Sequence, residues 1–339
     1  MTALNIEERM KALHIQGLTI TTIKNKKIFQ SEQYGVRNKH DQFPVMGNTM
    51  FNVCSISKLL TTVLACKLID EQLLQLDTPI NELVTTWTIS SNTPSPSLTL
   101  RQLLSHQSGI IDPPNSFLPY QKRWGYPTVE QLFLGKTEYC REPIIRQENQ
   151  VGRFHYADAN FCLIEKLIEG VTGKSFTLLM EEKVLQPLGM ACSTYEVTYG
   201  ENISQGHDRN GATVKEKYPH YPYPAASGLW STSKDISKLM IELMDAIVGD
   251  SKLGLSPLTI NEMFTSQGEC EWLGLGCFLG STSNGFELSS LGWGVGFQSL
   301  LALYPQKKEG IIILTNTELG IHQMDGLIGE IYRAFIGKE

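Results

Sequence analysis

Ser55-Ile56-Ser57-Lys58 sets a hydroxyl and an amine three residues apart, at the head of a run whose apolar positions Leu59, Leu60, Val63, Leu64, Leu68 and Ile69 recur with helical spacing. A serine hydroxyl is a weak nucleophile until a neighbouring base takes its proton. On a helix, positions i and i+3 share one face. The first turn adds unpaired backbone N–H groups and the positive end of the helix dipole. That field, together with burial, is expected to lower the Lys58 pKa toward a working base. The tetrad is short enough to arise by chance, and a second copy stands at Ser231-Thr232-Ser233-Lys234. There Ser231 or Thr232 reads as a helix cap ahead of Asp235. Cys54, beside the candidate nucleophile, reads as a packing residue.

The elements that must hold these residues follow from periodicity. Residues 17–23 alternate as a strand, Asn25-Lys26-Lys27 makes a turn, and 28–34 returns as a second strand. A helix is predicted from about residue 55 to 72, a short one over 98–105 stopping near Gly109, and a long one over 159–169 ending before Gly170. The stretch 90–97, SSNTPSPS, has the composition of a surface loop, and 110–150 is irregular and rich in proline and aromatics. Residues 300–304 and 310–315 flank a polar turn as a hairpin, and an amphipathic helix spans about 324–335. Strands at both ends with helices between predict an α/β (α+β) chain whose termini meet in one antiparallel sheet flanked by helices. One catalytic domain over 1–339 is expected. A sheet lobe takes about 1–70 and 215–339, and a mostly helical second lobe takes about 71–214.

The conjunction of several ordered motifs is more specific than any one. Around Ser55 stand Thr49-Met50-Phe51 and 73–80, LLQLDTPI. Farther on come 98–109, LTLRQLLSHQSG, then Gln186-Pro187-Leu188-Gly189-Met190, 226–232, ASGLWST, and Leu314-Thr315-Asn316. Nearly the whole chain thereby resembles the serine β-lactamase and penicillin-binding-protein family, in its class C-like esterase and D-peptidase branch. The resemblance implies a β-lactamase/DD-peptidase-like fold and an acyl-enzyme formed on Ser55, with Lys58 as base. It gives Tyr156, in Tyr156-Ala157-Asp158, the part of a proton shuttle to the leaving group. Phenol beside ammonium suits that task, because the cation stabilises phenolate.

Two positions depart from the family pattern. Asp158 stands where asparagine is usual. A carboxylate cannot donate a hydrogen bond to a substrate carbonyl, and is free instead to pair with Lys58 or to cap the helix. In the third motif, counting back from Gly296-Phe297 lands on Ser290-Leu291-Gly292, so serine replaces the usual cation or imidazole. Without that charge the site is poorly equipped to clamp a substrate carboxylate and better suited to a neutral ester or amide. Gly292 permits close backbone approach. By analogy the N–H groups of Ser55 and Trp293 form the oxyanion hole. Trp293 either lines the pocket or packs. His106 falls in an architectural stretch of the family, and His155 reads as structural beside Tyr156.

The expected activity is therefore that of a serine hydrolase on a small-molecule ester, amide or D-amino-acid-containing substrate. Esterase, D-amino-acid peptidase or amidase, weak β-lactamase and acyltransferase share the machinery. The alternative is a catalytically weak penicillin-recognising binding or sensor protein. Nothing in the chain asks for a cofactor, and no His-Glu-x-x-His or close Cys/His cluster suggests a metal. A net charge of −6 without a basic run argues against nucleic acid. No apolar run approaches a membrane span or a secretory leader. With seven unpatterned cysteines, that points to a reducing compartment and a cytoplasmic location. The sequence sets no oligomeric state.

Overall fold

The computed structural model describes residues 4–80, 98–196 and 202–337; the predicted loop over 90–97 lies outside them. Its strands are β1 (Gly17–Lys24), β2 (Lys27–Gly35), β3 (Phe51–Asn52), β4 (Ile110–Ile111), β5 (Ile145–Arg146), β6 (Trp230–Ser231), β7 (Phe278–Thr282), β8 (Gly285–Gly294), β9 (Phe297–Tyr304) and β10 (Glu309–Thr315). Its helices are α1 (Ile6–Ala12), α2 (Ser57–Asp70), α3 (Leu100–Leu104), α4 (Val129–Phe133), α5 (Asp158–Thr172), α6 (Phe176–Met180), α7 (Pro224–Ser227), α8 (Ser233–Ala246), α9 (Pro257–Met263) and α10 (Leu327–Ile336).

The antiparallel sheet runs β2-β1-β10-β9-β8-β7, so strands from both ends of the chain are neighbours, as expected. Asn25 and Lys26 both take positive φ (51° and 57°), the twist that a two-residue hairpin turn needs. The runs in β9 and β10 are apolar without alternation because both faces are covered. Leu300, Ala302, Tyr304, Ile311 and Ile313 face Met10, Ile328 and Ile331 of α1 and α10. Leu301, Leu303, Ile312 and Leu314 face the larger core built around α2 and α8. Period-two side-chain direction thus puts one hydrophobic layer on each side of the sheet.

Helix α2 runs through the larger core, which explains why Thr61, Thr62 and Cys66 are as buried as its leucines. It begins at Ser57, after a 3-10 turn over Cys54–Ile56, slightly later than predicted. Helix α5 runs past Gly170 and is closed by Gly173 in the left-handed region (φ 67°), so its predicted end is three residues too early. Gly170 has open space around it and simply tolerates helix. Residues 110–150 are largely irregular, with the two-residue pair β4–β5, the short α4 and a 3-10 turn over Glu148–Gln150. No helix among the described residues is long and apolar enough to cross a membrane.

Candidate active site

The turn bearing Ser55 is fastened from several directions. β3 pairs with β6, Val53 N–H bonds Leu229 O, and Cys54 N–H bonds Asn52 Oδ1 at 2.7 Å. Ser57 Oγ donates to Cys54 O at 2.6 Å and accepts from Leu229 N–H at 3.1 Å. Cys54 takes a positive φ of 51°, a conformation that costs a non-glycine residue energy and persists only where the surroundings enforce it. Its thiol is buried, which pushes its pKa well up, so it packs as expected.

Lys58, with its side chain only 4% exposed, points back along the same face. Its Nζ donates to Ser55 Oγ at 3.2 Å, to Asp158 Oδ1 at 2.5 Å and to Ala226 O at 2.9 Å. An ammonium has three protons, and all three are placed. The expectation of a lowered lysine pKa is therefore wrong. Burial does push it down, but the charge of Asp158, helped by Tyr156, more than reverses that, and Lys58 rests as a cation. Of the two roles open to Asp158, pairing with Lys58 is the one adopted.

Tyr156 lies against the same pair, the Lys58 ammonium 5.0 Å from its ring centroid. Desolvation raises the phenol's pKa, opposed by the Lys58 charge. His106 stacks on Tyr156, the two ring centroids 4.5 Å apart. His106 Nδ1 accepts Ala157 N–H at 3.1 Å, so the ring both supports the tyrosine and holds the backbone after it. Burial and then the Lys58 charge lower its pKa to about 3, leaving it neutral. His155 turns instead to Gln150 Oε1, 2.7 Å away.

Sequence reading missed Asp112. Its Oδ2 accepts Asp158 N–H at 2.6 Å and its Oδ1 accepts Ala159 N–H at 3.2 Å, capping α5 from a residue 46 positions earlier. Capping from so far away leaves no local signature beside the helix. Ala226 O was invisible for a similar reason, being a main-chain group whose neighbour is decided by the fold.

The third predicted motif lies on β8. A Cβ on Gly292 would sit 2.1 Å from Ser299 Oγ and 2.3 Å from Val53 O, so the absence of a side chain lets β8 close on the turn before Ser55. Ser290, two residues earlier on the same strand face, is buried. Trp293 points to the other face, is 44% exposed and donates Nε1–H to Glu318 Oε1 at 3.1 Å. β7 pairs with β8 only through Ser289, so the β8 edge beyond it is not covered by β7. Tyr221 closes this end by accepting Val295 N–H at 2.9 Å. The second Ser-x-x-Lys copy is a cap: Thr232 Oγ1 accepts Asp235 N–H and Lys234 is exposed. A cavity of about 1060 Å³, lined in part by Tyr120, Tyr126, Glu165 and Tyr195, does not reach Ser55, Lys58 or Tyr156. The chemistry is better sought at Ser55, where a hydroxyl meets the Lys58 ammonium.

Known proteins extend this picture. The chain is 26% identical over 228 residues to protein flp of Staphylococcus aureus (strain MW2), a match covering 67% of this chain and 43% of that relative. The chain thus spans less than half the length of that relative. It is 23% identical over 253 residues to a teichoic acid D-alanine hydrolase of Staphylococcus aureus (strain MRSA252), covering 74% of this chain and 59% of that protein. The structure of an octameric penicillin-binding protein homologue from Pyrococcus abyssi superposes with a TM-score of 0.79 at 23% identity, over 100% of this chain and 78% of that one. A sequence model described as beta-lactamase matches residues 3–330, nearly the whole length. With the sheet order, the Ser55–Lys58 turn and this match in agreement, the chain belongs to the beta-lactamase family.

Proposed function

We propose that the protein is a serine hydrolase that acylates Ser55 with the acyl group of a small ester or amide and then releases it to water. The observation carrying this reading is the contact of Lys58 Nζ with Ser55 Oγ at 3.2 Å, with the Tyr156 ring centroid 5.0 Å from the same ammonium. Ser55 Oγ attacks the carbonyl carbon. The N–H groups of Ser55 and Trp293 take the developing oxyanion, a role favoured by the close approach of β8 at Gly292. Tyr156 passes a proton to the leaving group.

Two features bear on the substrate. Ser290 brings no cation to β8, which disfavours a carboxylate-clamped β-lactam and favours a neutral ester or amide. The name of the teichoic acid D-alanine hydrolase supports D-amino-acid esters within that class. The fully occupied Lys58 ammonium is what favours the second reading, a binding protein that has kept the fold.

A fluorophosphonate probe and a fluorescent penicillin separate these readings, with adducts mapped by mass spectrometry. The expected result is labelling of Ser55 by the fluorophosphonate, lost in Ser55→Ala, with weak or no labelling by penicillin. Equal labelling by both would return the β-lactam and D-peptide reading. No adduct on well-folded protein would refute the hydrolase.

A further inference from the structure

The cavity of about 1060 Å³ that does not reach Ser55 lies beside α7. Helix α7 touches both places: Pro224 lines the cavity, and Ala226 O accepts from Lys58 Nζ at 2.9 Å. One wall is aromatic. The Tyr120 ring centroid is 4.4 Å from that of Tyr126 and 4.5 Å from that of His220. Tyr195, Tyr218 and Tyr221 add further rings. The charged lining is graded by depth. Lys122, Lys215, Lys217 and Glu196 are exposed, whereas Glu165 and Glu216 are half-buried. Among the described residues, the less exposed lining thus carries carboxyls and no lysine or arginine.

Glu165 is the fixed point of this lining. Its Oε2 accepts Ala225 N–H at 3.1 Å, and Ala225 O is held in turn by Thr61 Oγ1 at 2.8 Å. No lysine or arginine among the described residues pairs with Glu165; the neighbouring Lys166 reaches Glu130 Oε1 at 3.4 Å instead. Desolvation pushes the Glu165 carboxyl up to about 8, against the pull of the Ala225 N–H. A carboxyl in such a place ionises where a cation sits against it. The Tyr195 hydroxyl is buried, feels the Glu165 charge and has no hydrogen-bond partner among the described residues. Buried polar groups are almost always paired, so this one calls for a partner.

We propose that this cavity is a second ligand site, taking an organic primary ammonium carried on an aromatic or aliphatic body. Glu165 meets the charge, and the rings of Tyr120, Tyr126 and His220 receive the body. An ammonium over an aromatic face is attracted by the ring quadrupole, more so where water is displaced. Its three N–H donors suit a carboxylate and phenol oxygens together. A carboxylate ligand would be repelled by Glu165 and Glu216, and a neutral one would draw only hydrogen bonds from them. The volume stands at the upper end of the range for small-molecule sites, about 300–1,000 Å³. The proposal is independent of the reading of Ser55 as nucleophile.

The test is calorimetric titration of the full chain with phenethylammonium, phenethyl alcohol and phenylacetate at one ionic strength, probes that share a ring and differ in charge. Phenethylammonium should bind saturably in the millimolar range or tighter, about tenfold or more above the alcohol, with phenylacetate weakest. Glu165→Gln keeps an acceptor for Ala225 N–H at nearly the same size. It should remove about tenfold of the ammonium affinity and leave that of the alcohol. Tyr120→Leu should weaken both. Glu318→Gln removes the carboxylate bonded to Trp293, toward the Ser55 end, and should change neither. Equal binding of ammonium and alcohol, or stronger binding of phenylacetate, would overturn the proposal. So would an ammonium affinity untouched by Glu165→Gln or by Tyr120→Leu, or one lost in Glu318→Gln, which would put the ligand beside Ser55. Folded wild type that shows no saturable ammonium binding would overturn it outright.

Discussion

Asp158→Ala removes the only carboxylate paired with Lys58 among the described residues and touches little else. Asp112 still holds the N–H groups of residues 158 and 159, so the start of α5 keeps its cap. With both Asp112 oxygens so committed, that carboxylate is poorly placed to replace the lost partner. Lys58 is left with Ser55 Oγ and Ala226 O as neutral acceptors, its side chain 4% exposed. Stranding one member of a fully buried pair costs about 3–5 kcal/mol. The Asp158 side chain is 26% exposed, so water can enter, and a loss of about 2–3 kcal/mol is the better expectation. The sign with pH follows from Lys58. In the wild type its pKa is raised, so its contribution is complete below the unfolded value and fades as pH rises above it. In the variant the Asp158 charge no longer offsets burial, and that pKa falls. The penalty is then largest at neutral pH and fades as pH rises through the lowered value. Urea denaturation of both proteins from about pH 6 to pH 10 should therefore show a gap that narrows toward the alkaline end. A gap below about 1 kcal/mol at neutral pH, or one that stays constant, would refute the picture of a buried lysine held charged by Asp158.

Two further substitutions probe the supports of the site. Gly292→Ala forces a methyl against Ser299 Oγ and Val53 O and should cost about 1–3 kcal/mol, with labelling of Ser55 slowed about tenfold or more as β8 moves off the Ser55 turn. Thermal unfolding and labelling rate check it, and wild-type labelling would show that the close approach is unimportant. His106→Phe keeps a ring under Tyr156 but strands Ala157 N–H, for about 1–3 kcal/mol near neutral pH. Because burial lowers the His106 pKa to about 3, the wild type should lose on the order of 2 kcal/mol between pH 7 and pH 5 that the variant does not, since the unfolded chain binds the proton first. Parallel acid dependence of the two unfolding midpoints would contradict it.

What the sequence could disclose depends on where each constraint is written. The hairpin strands β1, β2, β9 and β10 and the buried α2 declare themselves through local periodicity and turn chemistry, and Thr232 does so as a cap three residues before its donor. Ser55 and Lys58 share a turn, so their proximity is legible from spacing alone. The proton state of Lys58 is not, because it is set by a carboxylate 100 residues away whose charge outweighs burial. Reading the helix dipole and desolvation without that partner gives the wrong sign. The same holds for Asp112: in the chain it is an acid after two isoleucines, and only the fold makes it the cap of α5. The aspartate at 158, where the family usually has asparagine, is thus the group that decides the state of Lys58. A carboxylate there holds Lys58 charged, so a position that departs from the family pattern sets the proton state of the lysine beside Ser55.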